Sequence, residues 1–252
     1  DVPLSFCLSG GMDSSSLVGL ADALDLKKIN TYSVIDQDSR YNEEKEINFL
    51  VNYYDIKNKK IMSSNLDIFK VLKKITKFHH APVSTVSYLL HSELLKRVAN
   101  DKHKVIFSGT GADEIFAGYY DHSLYWLALE KDKEKLNRKI SMLYNNFGKF
   151  IKNDALKDPY KFIKNINDKS YLYDHNDVLK DLTMYEDEDS YKELVYSEDI
   201  LKNRMANDLW TEVVPVILDQ DDKNSMMYSI ENRSPFLDSN LVSFTQSIPS
   251  QY

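Results

Sequence analysis

A chain of 252 residues can form one large α/β domain or two small ones. It is 42% hydrophobic, holds no run near the roughly 18 apolar residues of a membrane-spanning helix, and has no basic start ahead of an apolar stretch, so neither a membrane span nor a secretory signal is read from it. Its 32 Lys and Arg against 39 Asp and Glu, net −7, argue against broad contact with nucleic acid, and the single cysteine, Cys7, excludes an internal disulfide and fits a reducing cytoplasm.

The sequence opens Asp1-Val2-Pro3 without Met and enters strand-like residues at once, which reads as a chain whose preceding residues are not shown. Leu4 to Leu8 predicts a short buried strand. A helix is expected from Asp13, with Leu17, Leu20, Ala21 and Leu24 on one face. Ile29 to Ile35 predicts the next strand, and Ile47, Leu50, Val51 and Tyr54 a second helical stripe. A brief strand near Lys60 to Met62, helices around 66–78 and 86–98, and a strand at Lys104 to Phe107 complete the alternation. Such alternation predicts a doubly wound parallel sheet. Residues 1–121 are expected to form this α/β core, and 122–252 a mainly helical part completing the site within one domain. In that part, Leu179, Leu182 and Met184, with Leu194 and Val195, suggest further helices.

Five of the 7 glycines lie in two short stretches, at Gly10, Gly11, Gly109, Gly111 and Gly118. A strand ending in Ser9-Gly10-Gly11-Met12-Asp13-Ser14-Ser15 and opening a helix is an anion-binding arrangement. Free backbone N–H groups and the positive end of the helix point at the loop, and glycine admits a phosphate. Ser14 and Ser15 can add hydroxyl donors or cap the helix. Neither a Walker loop nor a dinucleotide fingerprint is present.

The segment Ser9 to Ser14 resembles the pyrophosphate loop of ATP pyrophosphatases, which adenylate a substrate and release pyrophosphate. The stretch from Ser108 through Gly109, Thr110, Gly111, Ala112, Asp113 and Glu114 to Tyr119 resembles a block of the synthetase domain of glutamine-hydrolysing asparagine synthetases and of the related β-lactam and carbapenam synthetases. Ser229 to Asp238 is similar to a third block of that family. The three blocks stand in family order over nearly the whole chain.

The resemblance implies that a small carboxylate, aspartate in the parent reaction, attacks the α-phosphorus of ATP. Pyrophosphate then leaves into the Ser9 to Ser15 loop, and ammonia displaces AMP to give an amide. A glutaminase domain or subunit would supply the ammonia. Leu8 and Val34 would lie against adenine, and Ser108 and Gly109 would meet the nucleotide or the adenylate. Because both loops follow parallel strands, both open at the carboxyl edge of the sheet, and Asp13 with Asp113 is a reasonable Mg²⁺ arrangement beside a triphosphate. Asp113 and Glu114 are the expected catalytic acids. Lys223, eight residues before Glu231, stands where the family carries a cation reaching the phosphates. Glu231 and Arg233 read as a structural ion pair. Thr110 replaces an acidic residue common in relatives, so substrate choice stays open between aspartate and another carboxylate. A ring-closing β-lactam type synthetase and a catalytically silent nucleotide-binding module are the alternatives. A cytoplasmic protein, neither nucleic-acid-bound nor membrane-bound, is expected, with a homodimer carried as a further expectation.

Overall fold

The structure is a computed structural model that describes residues 3–26, 28–172 and 192–251. It divides into two compact units, Asp1–Ala112 with Val213–Val242, and Asp113–Glu212 with Ser243–Tyr252. The division therefore falls at 112/113, and the chain returns to the first unit at 213. Residues 213–242, grouped in sequence with the helical part, belong with the sheet.

The first unit is a five-stranded sheet of β1 (Leu4–Cys7), β2 (Asn30–Ile35), β3 (Lys57–Met62), β4 (Val105–Phe107) and β5 (Glu231–Arg233). The spatial order is β3-β2-β1-β4-β5, and every neighbouring pair is parallel. Helices α1 (Met12–Ala23) and α2 (Glu44–Tyr53) link the first three strands, and α3 (Ile68–His79) and α4 (Ser87–Asn100) link β3 to β4. Strand residues alternate between two apolar layers, as a sheet covered on both faces requires. Phe6, Leu8 and Ile35 pack with Leu17, Val18, Ala21 and Ile47 of α1 and α2. Tyr32 and Ile106 pack with Leu94, Leu95 and Val98 of α4 on the other layer. The doubly wound fold is thus the observed one.

Two details differ from the sequence expectation. The buried stripe of α1 is Ser14, Leu17, Val18 and Ala21, while Leu20 and Leu24 are 58% and 71% exposed. The Ser14 hydroxyl is tied to Ser9, and this fixes the helix phase one residue away from the leucine stripe. Strand β5 was not foreseen. It is short and charged, and main-chain bonds hold it on β4: Glu231 N donates to the Lys104 carbonyl (2.8 Å), and Ser108 N to the Arg233 carbonyl (2.9 Å). Glu231 and Arg233 do pair on this strand, at 2.8 Å and half exposed. Helix α10 (Val214–Met226) completes the first unit.

The second unit is helical among its described residues. It contains α5 (Ala112–Phe116, starting in the first unit), α6 (Tyr120–Ala128), α7 (Lys133–Phe147), α8 (Pro159–Lys164) and α9 (Ile200–Asn207), which runs on into a π-helical turn at Asp208–Glu212. Asp132, Asp158 and Asp199 cap α7, α8 and α9 by accepting backbone N–H bonds. Leu124, Leu127, Ile140, Phe162 and Leu201 form the core. The helices expected around Leu179, Leu182 and Met184 lie outside the described residues. Leu194 and Val195 are not helical; they are exposed. The Asn207 side chain bonds both the N–H (2.9 Å) and the carbonyl (2.8 Å) of Leu194, so this backbone is satisfied without a helix. Helix α11 (Ser239–Ser247) crosses back from the first unit into the second.

Arg204 is fully buried in the second unit. Its guanidinium meets Glu193 at 2.6 Å and also pairs with Asp208 and Glu212, and Asp208 takes His122 Nε2 at 2.8 Å. Burial raises the Asp208 carboxyl, but His122 and Arg204 outweigh it and hold the group below its ordinary value. Removing the cation would strand buried carboxylates. Arg204→Met is expected to cost about 3–5 kcal/mol of stability, read as a lowered urea midpoint.

Candidate active site

The carboxyl edge of the first-unit sheet carries both the end of β1 and the end of β4. At β1, the loop folds onto itself through hydroxyls. Ser14 Oγ lies 2.9 Å from Ser9 Oγ and accepts from Ser9 N at 3.0 Å, Gly11 N donates to Ser9 Oγ at 3.1 Å, and Ser15 Oγ donates to the Gly11 carbonyl at 2.6 Å. Gly11 is the N-cap of α1 and has no side chain to offer, so the first N–H groups of the helix are left facing outward. The Gly10 N–H donates to Glu43 Oε2 at 3.2 Å. A carboxylate therefore already sits on one donor of the loop.

The β4 loop lies against this one. A Cβ on Gly109 would fall 3.0 Å from the Asp13 Cβ and 3.3 Å from the Ser14 nitrogen, so only glycine lets the two backbones come this close. Ser9, Gly10, Gly11, Asp13, Ser14, Ser15, Ser108 and Gly109 are thereby gathered at one rim of the first unit. Asp13 is partly buried and makes no hydrogen bond or ion pair among the described residues, and burial raises its carboxyl above the ordinary value. A carboxylate held out of water without a counter-charge suits a cation.

Leu8 and Val34 are placed differently. Leu8 is 2% exposed and packs into the core beneath α1, while its carbonyl accepts the Ser33 hydroxyl at 2.6 Å. Val34 is half-buried against the α4 layer. Lys223, on α10, pairs with Asp219 at 2.7 Å on the surface. Asp113 and Glu114 belong to the second unit. A Cβ on Gly118 would overlap Asp113 Oδ1, at 1.8 Å, so the carboxylate rests where only glycine leaves room. Glu114 is 1% exposed and accepts the Tyr119 hydroxyl at 2.6 Å, which together with burial raises the Tyr119 phenol. His79 ends α3 and His80 is its C-cap, in the left-handed region.

Beneath the β4 loop lies a polar cluster that the sequence did not announce. Asp221, 6% exposed, holds Thr110 Oγ1 (3.3 Å) and Asn232 Nδ2 (3.2 Å) on one oxygen, with His91 Nδ1 3.2 Å from the other. Ser108 Oγ donates to Thr110 at 3.1 Å. The hydroxyls of the β4 loop are thus anchored to a buried charge. His91, Thr110, Asp221 and Asn232 are dispersed along the chain, and no spacing in the sequence marks them as one cluster.

A family model described as asparagine synthase matches residues 1–252. The chain belongs to the asparagine synthase family. A Methanocaldococcus jannaschii protein named "Putative asparagine synthetase (glutamine-hydrolyzing) 2" is 31% identical over 123 residues, which are 48% of this chain and 24% of that protein. The match thus spans about a quarter of the relative's length. That family is one of ATP-dependent amidation ligases. Among the described residues no helix is long and apolar enough to cross a membrane.

Burial would lower the His91 imidazole, but the Asp221 carboxylate, with Cys7, carries it from its ordinary 6.5 up to about 10. The folded state therefore keeps a proton that the unfolded chain releases near 6.5. The pair's contribution to stability is full below pH 6.5 and fades as pH rises through 10. Urea midpoints from pH 6 to 10 should fall for the native protein, and this slope should flatten in Asp221→Asn.

Proposed function

We propose that this chain is the adenylating part of an amide-forming ligase. It activates a small carboxylate with ATP, releases pyrophosphate, and passes the acyl group from AMP to ammonia. The observation that carries this reading is the rim of the first unit, where an anion-accepting glycine loop lies against a second glycine loop through Gly109. Such chemistry needs negative charge positioned and neutralised more than covalent help.

The outward N–H groups of α1 and the hydroxyl-braced Ser9 to Ser15 loop would receive the departing pyrophosphate. Ser108 and Gly109 would hold the adenylate side, with Asp221 fixing the Ser108–Thr110 hydroxyl chain beneath them. Asp13 and Asp113 would hold magnesium, which supplies charge neutralisation to the triphosphate. Among the described residues no group of three or more His, Cys, Asp or Glu could hold a metal. Lys223 would leave Asp219 to meet the α-phosphate. Glu114, buried on Tyr119, would serve by holding the helix that carries Asp113. Aspartate as acceptor, a glutaminase partner supplying ammonia and a cytoplasmic setting are parts of the same proposal.

The test is product identity. AMP and pyrophosphate should form only when a carboxylic acid and ammonia are both supplied, with aspartate tried first. ADP and phosphate would overturn the reading, and amide formation without ammonia would move it to a ring-closing synthetase. Asp113→Asn should lower turnover by about a hundredfold while the protein stays folded.

A further inference from the structure

The cation expected from sequence, Lys223, is neutralised by Asp219 in this structure. A different ammonium stands beside the loop. A groove of about 330 Å³ is lined by Gly10 and Ser15 of the loop and by Lys45, Glu46, Phe49 and Leu50 of α2. The first turn of α2 lies directly on the glycine loop: a Cβ on Gly10 would be 2.6 Å from the Glu46 Cβ and 3.1 Å from the Glu43 Cβ. Glu44, the next acid on this turn, is already paired with Lys60 at 2.7 Å. Lys45 is exposed and has no hydrogen bond or ion pair among the described residues. Glu43, two residues away, occupies the Gly10 N–H.

We propose that the first turn of α2 is the outer wall of the pyrophosphate pocket, with Lys45 as its phosphate-binding cation and Glu43 as an internal anion that incoming phosphates displace from Gly10. This rests on the function proposed above and adds two residues that the family motifs do not include. The physical argument is one of charge. The loop's N–H groups and the positive end of α1 favour an anion. A single carboxylate satisfies one donor, whereas a pyrophosphate presents several oxygens to the whole loop. It also brings the negative charge that an unpaired ammonium at the groove wall attracts. Glu43 keeps the donor occupied when phosphate is absent, and Lys45 favours the exchange when phosphate arrives.

The experiment is calorimetric titration of the protein with magnesium pyrophosphate. Lys45→Met should weaken binding roughly five- to tenfold, the scale of one solvent-facing ion contact to a multiply charged ligand, and should reduce its salt dependence. Lys45→Arg should bind nearly as the native protein does. Glu43→Gln should bind more tightly, because the competing charge is gone. Lys45→Met binding as tightly as the native protein, or Glu43→Gln binding no tighter, would overturn the proposal. Native protein that bound no pyrophosphate would overturn both this inference and the ligase reading. Lys45-dependent binding without AMP formation from any carboxylate would overturn the ligase reading alone.

Discussion

The hydroxyl of Ser14 reaches back across the first turn of α1 to the backbone and the side chain of Ser9. That closure does more than brace a turn. It rotates α1 so that Ser14, Val18 and Ala21 face the sheet, which carries Leu20 outward and leaves Asp13 at the rim without a partner among the described residues. Gly109 can then lie against Asp13 and Ser14. Replace the serine contact by an ordinary apolar stripe and the helix would turn its leucines inward, moving the carboxylate and the N–H groups away from the rim. The rim of the two loops and the core packing of α1 are one constraint seen from two sides.

Buried charge plays a parallel part in each unit. Under the β4 loop, Asp221 with His91 gives Thr110 and Ser108 a fixed acceptor to point at, so the loop hydroxyls are oriented before any ligand arrives. In the second unit, Arg204 gathers Asp208, Glu193 and Glu212 about one guanidinium. Buried ion pairs of this kind add little net stability compared with apolar packing, but they are costly to break singly. Their use here is to hold polar elements in one geometry.

The parallel sheet was legible because its first four strands are short apolar runs separated by helices, each bounded by turn residues. The glycine loops were legible for a related reason, since glycine clustering is local and its physical meaning is specific. Strand β5 was not, because Glu231-Asn232-Arg233 has no strand character of its own and is recruited by the open edge of β4. Asp221 was hidden for the opposite reason. It stands among Asp219 and Asp222 on a helix, and nothing in the order of residues says which of these acids turns inward to His91. The family resemblance implies Leu8 as an adenine contact, and the structure packs its side chain into the core.

The parallel pair formed by β4 and β5 joins segments far apart in the chain, with Ser108 and Ser234 in contact across 126 positions. The whole of residues 113–212 is made between them. During synthesis the sheet therefore waits with one flank uncovered until residues 231–233 emerge. Long-separated pairing of this kind is slow and leaves a strand edge open to wrong partners. The charged, brief character of β5 then has a benefit of its own: a late arrival with so little intrinsic stickiness docks only where β4 offers its matching register.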